Sequence, residues 1–295
     1  MLELLLELLP PASILVIAPP DESKAGWQES LLEAARARGV ESLAPVDVNE
    51  RSVVDAVVAF DPGLLLSVYY TQIFRPELLS AVRGPCLNFH PSLLPRHRGH
   101  APVIWAIVEG DAVTGLSVHH VDRGVDTGPL VYRRPLPIHP LDTGFDVHQK
   151  MNWLVRSTAA VLLRRLAAGA AVPVGEEQVG TASLHSRADP QVNHLDWSLP
   201  AARIRNIVRA LAPPLPGAFV RFAELTIPLS SVEPAASPSG EIRPAGLVEL
   251  EDDGTPVVWA ADAPLRIRSF VDVEGRVRPG RELAQVGVGM GSLLT

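Results

Sequence analysis

Asn88 and His90 flank Phe89 within LNFHPSLLPRHRGHAP, residues 87–102. On an extended chain alternate side chains share a face, so the amide and the imidazole emerge together before Pro91 turns the chain away. In open parallel sheets ligands bind beyond the carboxyl ends of strands, and this pair stands at such an end. Further along, Asp126 lies in GVDTG. An Asn amide can donate to a developing oxyanion, a His can take a proton from an attacking amine, and a carboxylate can support the imidazolium that forms. Together they suit acyl transfer to an amine, which brings its own nucleophile and calls for no metal. Singly each is weak: a His after a strand is more often structural, and Asp-Thr-Gly is a turn in most contexts. The second Asp-Thr-Gly, Asp142–Gly144, lies too near the first to form an aspartic dyad across two lobes. His119 and His120 are adjacent on a strand and face opposite ways, which argues against a metal pair. Cys86 reads as a buried strand residue.

The elements that must position these groups alternate. Leu2–Leu9 reads as a short helix, Ser13–Ala18 as a buried strand, Glu29–Arg38 and Val53–Phe60 as helices, and Gly63–Val68 as a second buried strand. Pro76–Val82 follows as a helix and Cys86–Phe89 as a strand, so the pattern is βαβ with a parallel sheet. Pro102–Glu109 is helical, Gly115–Val121 an alternating strand and Pro129–Pro137 extended. A long helix over Phe145–Ala168 carries an apolar stripe at Val147, Met151, Leu154, Val155, Ala159, Leu162 and Leu163, spaced by three and four. After a polar connector, Glu176–Asn193, a helix over Pro200–Leu211 is expected to be capped by Asp196 or Ser198. Short β segments at Ala218–Leu225, Gly246–Leu250, Pro256–Ala260 and Leu265–Phe270 then suit a small β-barrel, with Ser231–Pro244 as a low-complexity loop. The expected layout is an α/β domain over 1–180, a connector over 181–194 and a β-rich domain over 195–295.

The chain has 295 residues, a formal net charge of −7 and one Cys. That length can bury a full core, the single Cys excludes a disulfide framework, and the acidic balance argues against a large nucleic-acid footprint. The apolar start carries Glu3 and Glu7, lacks a basic leader and breaks at Pro10-Pro11, which argues against a targeting segment and for a cytoplasmic protein.

The run Asn88–x–His90–Pro–Ser–Leu–Leu–Pro95, with Arg98-Gly99, Ala101-Pro102 and Asp122–x–Gly124–x–Asp126-Thr127-Gly128, resembles the folate-dependent formyltransferase family. The resemblance implies a Rossmann-like catalytic domain, the catalytic set Asn88, His90 and Asp126, and 10-formyltetrahydrofolate as co-substrate. It places folate contacts at Gln72, Ile73, Phe74, His100 and Asp122, Arg123, Gly124, Val125 and Asp126, largely through backbone. Leu195–Trp197, Ala201–Ala210 and Pro216–Ala218 resemble the start of the family's OB-like C-terminal domain, which glycinamide ribonucleotide formyltransferase lacks. Family members usually open on a β-strand and a Gly turn. This chain begins within what resembles the next helix, which implies either a start further upstream or a sheet without that central strand.

Ser67–Leu79 and Leu283–Leu293 look most like the formyltransferases of UDP-4-amino-4-deoxyarabinose and other amino sugars. There His100 replaces an Arg, an always-charged fork exchanged for a titratable ring. Methionyl-tRNA formyltransferase is the main rival. Its basic tRNA-contacting loop corresponds to Pro19–Glu29, which here holds one Lys against three acids and argues against tRNA. Hydroxyornithine formyltransferases of siderophore pathways, a folate-binding relative without activity, and a homodimer also fit the pattern.

Overall fold

The computed structural model describes residues 1–21, 29–186, 193–237 and 241–295. Most of the acidic segment Pro19–Glu29, the end of the polar connector and part of the loop at Ser231–Pro244 therefore lie outside the described residues. By its internal contacts the chain divides into two units. The first comprises Met1–His100, Gly115–Leu136 and Lys150–Leu184, and the second Ala101–Thr114, Pro137–Gln149 and His185–Thr295.

The first unit opens with α1 (Leu2–Leu6), a 3-10 turn (Pro11–Ser13), β1 (Leu15–Ile17), α2 (Leu31–Ala37), β2 (Glu41–Leu43) and α3 (Arg51–Phe60). Next come β3 (Leu65–Val68), α4 (Pro76–Ser80), β4 (Cys86–His90) and the short β5 (Arg98–Gly99). β1 pairs in parallel with β2, and β3 with β4. One face of β1 packs on α1 and α2 through Leu2, Ile14, Val16, Ala35 and Val40. Leu15 and Ile17 instead join Leu65 against Val53, Val57, Leu78 and Val82 of the α3–α4 layer. Helices thus cover both faces, as parallel strands require. Among the described residues no ladder joins β1 to β3, so the sheet is interrupted between two strands that share one apolar cluster.

α5 (Pro102–Val108) belongs to the second unit; β6 (Val113–His120) and β7 (Leu130–Pro137) complete the sheet order β3–β4–β6–β7. β6 runs antiparallel to β4, an addition to the purely parallel expectation. α6 (Gly144–Ala167) buries all seven residues of the predicted stripe. Its start is the second Asp-Thr-Gly, and the reason is local: Asp146 N–H donates to Thr143 Oγ1 and Thr143 N–H to Asp146 Oδ2, a reciprocal cap at 3.1 and 2.9 Å. A Cβ on Gly144 would lie 2.0 Å from the Ala210 carbonyl oxygen.

After β8 (Leu184–His185), the second unit holds α7 (Ala201–Leu211) and an antiparallel sheet of β9 (Ala218–Phe222), β10 (Leu225–Pro234), β11 (Val248–Leu250), β12 (Pro256–Trp259), β13 (Pro264–Val271) and β14 (Val277–Pro279). The strand order is β11–β12–β13–β10–β9, with β14 on β13. Two expectations change. Ser231–Pro234 is not loop but the end of β10, held by pairing with β13. The first N–H of α7 is met not by Asp196 or Ser198 but by Asp262 Oδ1 at 2.7 Å, while Asp196 accepts from Ser198 N–H. Arg205 and Arg209 are spent on the carbonyls of Pro140 and Asp142, at 3.1 and 2.8 Å. No helix among the described residues is long and apolar enough to cross a membrane.

Candidate active site

β4 and β6 set the site by register. Asn88 lies opposite Ser67 of β3 on one side and His119 of β6 on the other, and His90 lies opposite Ser117. Period-two alternation therefore puts Asn88, His90 and His119 on one face, while Phe89 and Val118 are fully buried.

Asp126 reaches that face from the loop between β6 and β7, and the loop explains its own motif. Asp122 Oδ1 accepts from Gly124 N–H at 3.0 Å and from Thr127 Oγ1–H at 2.7 Å, closing the turn. A Cβ on Gly128 would stand 1.8 Å from the His120 carbonyl oxygen, so only glycine lets the two backbones meet. Asp126 itself sits at φ +52°, a left-handed conformation rare for a residue with a side chain.

The three predicted residues converge. Asn88 Nδ2 donates to Asp126 Oδ1 at 3.0 Å, and Asp126 Oδ2 lies 3.4 Å from His90 Nδ1 while accepting from Gly99 N–H at 2.8 Å. His90 Nε2 is 2.8 Å from the His97 carbonyl oxygen, which can only accept. The Nε2 proton is thereby fixed, and Nδ1, facing Asp126, is the nitrogen left to take a proton. Burial pushes the His90 imidazole below its ordinary value, and the opposing pull of Asp126 does not outweigh it. For Asp126, burial works to raise the carboxyl. The His119 hydrogen bond, the charge of His90 and the Gly99 N–H together overcome that and hold it at about 2. The result is a neutral base beside an ionised carboxylate.

His119 is the member that sequence reasoning missed. Its Nδ1 lies 2.8 Å from the His120 carbonyl oxygen, and its Nε2 is 3.2 Å from Asn88 Nδ2 and 3.3 Å from Asp126 Oδ1. Asn88 Nδ2 thus lies between Asp126 Oδ1, to which it donates, and His119 Nε2. Weighing His119 and His120 only as a metal pair obscured this. The useful signal was period-two alternation on a strand adjacent to Asn88. Gln178, from the polar connector, is a second unanticipated neighbour: its Nε2 donates to the carbonyls of Asp126 and Gly128 at 2.8 and 2.9 Å.

The remaining predicted contacts surround this cluster unevenly. Gln72 accepts from Val48 N–H and donates to the Val46 carbonyl, both at 2.8 Å, so its side chain is committed to the loop after β2. Ile73 is largely exposed, Phe74 packs on Tyr70 with ring centroids 5.5 Å apart, and His100 and Arg123 are exposed. The Asp122 carboxylate is occupied within its turn, and Val125 is exposed at the tip.

Two family profiles match the chain: "Formyl transferase" over residues 13–159 and "Formyl transferase, C-terminal domain" over 187–285. A methionyl-tRNA formyltransferase of Anaeromyxobacter dehalogenans (strain 2CP-1) is 35% identical over 273 residues, covering 90% of this chain and 86% of that protein. Among solved structures, the fold resembles an N-formyltransferase from Helicobacter canadensis in complex with folinic acid and dTDP-3-aminofucose. That match has a TM-score of 0.68 at 18% identity and covers 90% and 93% of the two chains. HypX from Aquifex aeolicus, in complex with tetrahydrofolic acid, matches at a TM-score of 0.60 and 17% identity, over 94% of this chain and 48% of that one.

Proposed function

Since the chain belongs to the formyl transferase family, we propose that it moves the formyl group of 10-formyltetrahydrofolate to a primary amine of an amino-sugar nucleotide, using Asn88, His90 and Asp126. The observation that carries this reading is the neutral, buried His90 with its free nitrogen 3.4 Å from an ionised Asp126. A formyl-transferring enzyme needs a base for the attacking amine and a counter-charge for the cation it becomes.

The amine nitrogen bonds to the formyl carbon and gives a proton to His90 Nδ1. The ion pair with Asp126 then forms at the moment it is needed. The charge of the imidazolium so formed stabilises the tetrahedral oxyanion. Asn88 Nδ2 can donate to the oxyanion as well, with its bond to Asp126 Oδ1 competing for the amide. Collapse breaks the bond from the formyl carbon to the folate nitrogen, which takes the proton, and neutral His90 is restored. The side chains of Gln72 and Asp122 are already committed, which supports folate contacts at 72–74 and 122–126 made mainly through backbone.

The net charge of −7 and the single Lys in Pro19–Glu29 support a small acceptor. A second reading, methionyl-tRNA, is favoured by the 35% identity to a methionyl-tRNA formyltransferase. Tetrahydrofolate release is the deciding assay, run with 10-formyltetrahydrofolate against amino-sugar nucleotides, hydroxyornithine and methionyl-tRNA. Turnover with an amino-sugar nucleotide alone upholds the proposal; turnover with methionyl-tRNA alone replaces the acceptor. Failure with every amine overturns it.

A further inference from the structure

We propose that Gln178 is a positioning residue for Asp126, locking both ends of the carboxylate's residue into the geometry that His90 requires; this rests on the formyl-transfer reading above. The starting point is strain. A non-glycine residue in the left-handed region is strained, so the φ of +52° at Asp126 persists only if its surroundings hold it. The carboxylate is held by Asn88 and by Gly99 N–H. The main chain is held by Gln178.

The orientation of the Gln178 amide follows from its partners. Arg98 can only donate, and its Nε and Nη2 lie 3.2 and 2.7 Å from Gln178 Oε1. The amide nitrogen therefore faces the carbonyls of Asp126 and Gly128, which can only accept. All four groups are satisfied in one arrangement, and flipping the amide would leave each facing its like. Two diverging N–H bonds also fix the separation of the carbonyls, and with it the turn that Thr127 makes between them. The circuit then closes: Arg98 orients Gln178, Gln178 holds the Asp126 peptide, and Gly99, next to Arg98, holds the Asp126 carboxylate. The connector is anchored to the same stretch again, with Arg98 N–H on the Ser183 carbonyl at 2.9 Å and His97 N–H on Ser183 Oγ at 2.8 Å.

The test uses the full chain with Gln178→Leu, which removes every bond at similar volume, and Gln178→Glu, which keeps Arg98 as a partner but loses both donors. Two readouts are taken: kcat and KM with the acceptor that turns over, and the NMR titration of His90, whose ring faces Asp126, His119 and His97. A 1 Å displacement of a reacting group can cost about 100-fold. The clamp predicts kcat lowered about 10- to 100-fold in both variants, with KM for each substrate within about threefold. It also predicts a His90 midpoint in Gln178→Leu displaced further downward, because Asp126 supports the imidazolium less. Wild-type kcat and an unmoved midpoint in either folded variant would overturn the proposal, even with a lowered Tm, since that is what a merely structural tie would give. Should Gln178→Leu not fold, the kcat of Gln178→Glu decides. Should wild-type protein turn over no acceptor, the formyl-transfer reading fails, while the His90 midpoint of Gln178→Leu still decides the clamp.

Discussion

His90 can act as a base only while its ring is neutral, and burial keeps it neutral. Its titration by NMR is therefore expected to centre below the ordinary value of about 6.5; a midpoint above that would contradict the assignment. Because the folded value lies below the unfolded one, His90 contributes stability that is fully present above about pH 6.5 and is lost as pH falls through the folded value. Asp126 behaves alike in a lower window: its contribution is present above about pH 4 and is lost as pH approaches the folded value of about 2. Replacing Asp126 by Asn should lower turnover by about 10²–10⁴, because the His90 cation would form without its counter-charge. The measurement is kcat on folded protein, and near-wild-type turnover would show that Asp126 is not needed as a charge. That Asn88 and His90 emerge together was legible in the sequence because an amide and an imidazole two apart on a strand share a face. His119 was not, since its role depends on which residue of a neighbouring strand falls opposite Asn88, and register is a tertiary property.

Elements carry these residues through local contacts that single substitutions can probe. Gly128→Ala would drive a methyl group into the His120 carbonyl, at 1.8 Å from its oxygen, and must move the Asp126 loop. The expected outcome is a loss of about 1–3 kcal/mol in denaturant unfolding together with reduced turnover; wild-type stability would mean that the loop relaxes freely. Ser30 caps α2 by accepting from Glu33 N–H at 3.0 Å while donating to Asp21. Ser30→Ala should cost about 1 kcal/mol with activity retained. The regular helices were readable because each carries its own period, as the α6 stripe does. What composition hid were features fixed at long range: β2, too short to show a period; the end of β10, which only β13 defines; and Asp262, which meets the start of α7 from far along the chain. Gln178 belongs with these, since a polar connector gives no sign of which residue will turn back to the Asp126 loop.

At the scale of the molecule, the first unit joins β3, β4, β6 and β7 into one sheet, and Asn88, His90 and His119 stand on it. Leu162 of α6 is 1% exposed, and Leu162→Ala should lower unfolding free energy by about 2–5 kcal/mol. An acidic chain should also show how it treats its acceptor. A protein that grips nucleic acid loses affinity steeply with salt, whereas a small acceptor predicts kcat/KM that changes little between low and physiological ionic strength. A steep salt dependence with methionyl-tRNA would favour the second reading. The central claim, that His90 is the base for formyl transfer, is tested most directly by following a labelled formyl carbon from 10-formyltetrahydrofolate to the acceptor amine in wild-type protein and in His90→Ala. The account predicts a labelled formamide from wild-type protein and a rate lowered by about 10²–10⁴ in a folded His90→Ala variant. Equal rates in the two proteins would contradict it.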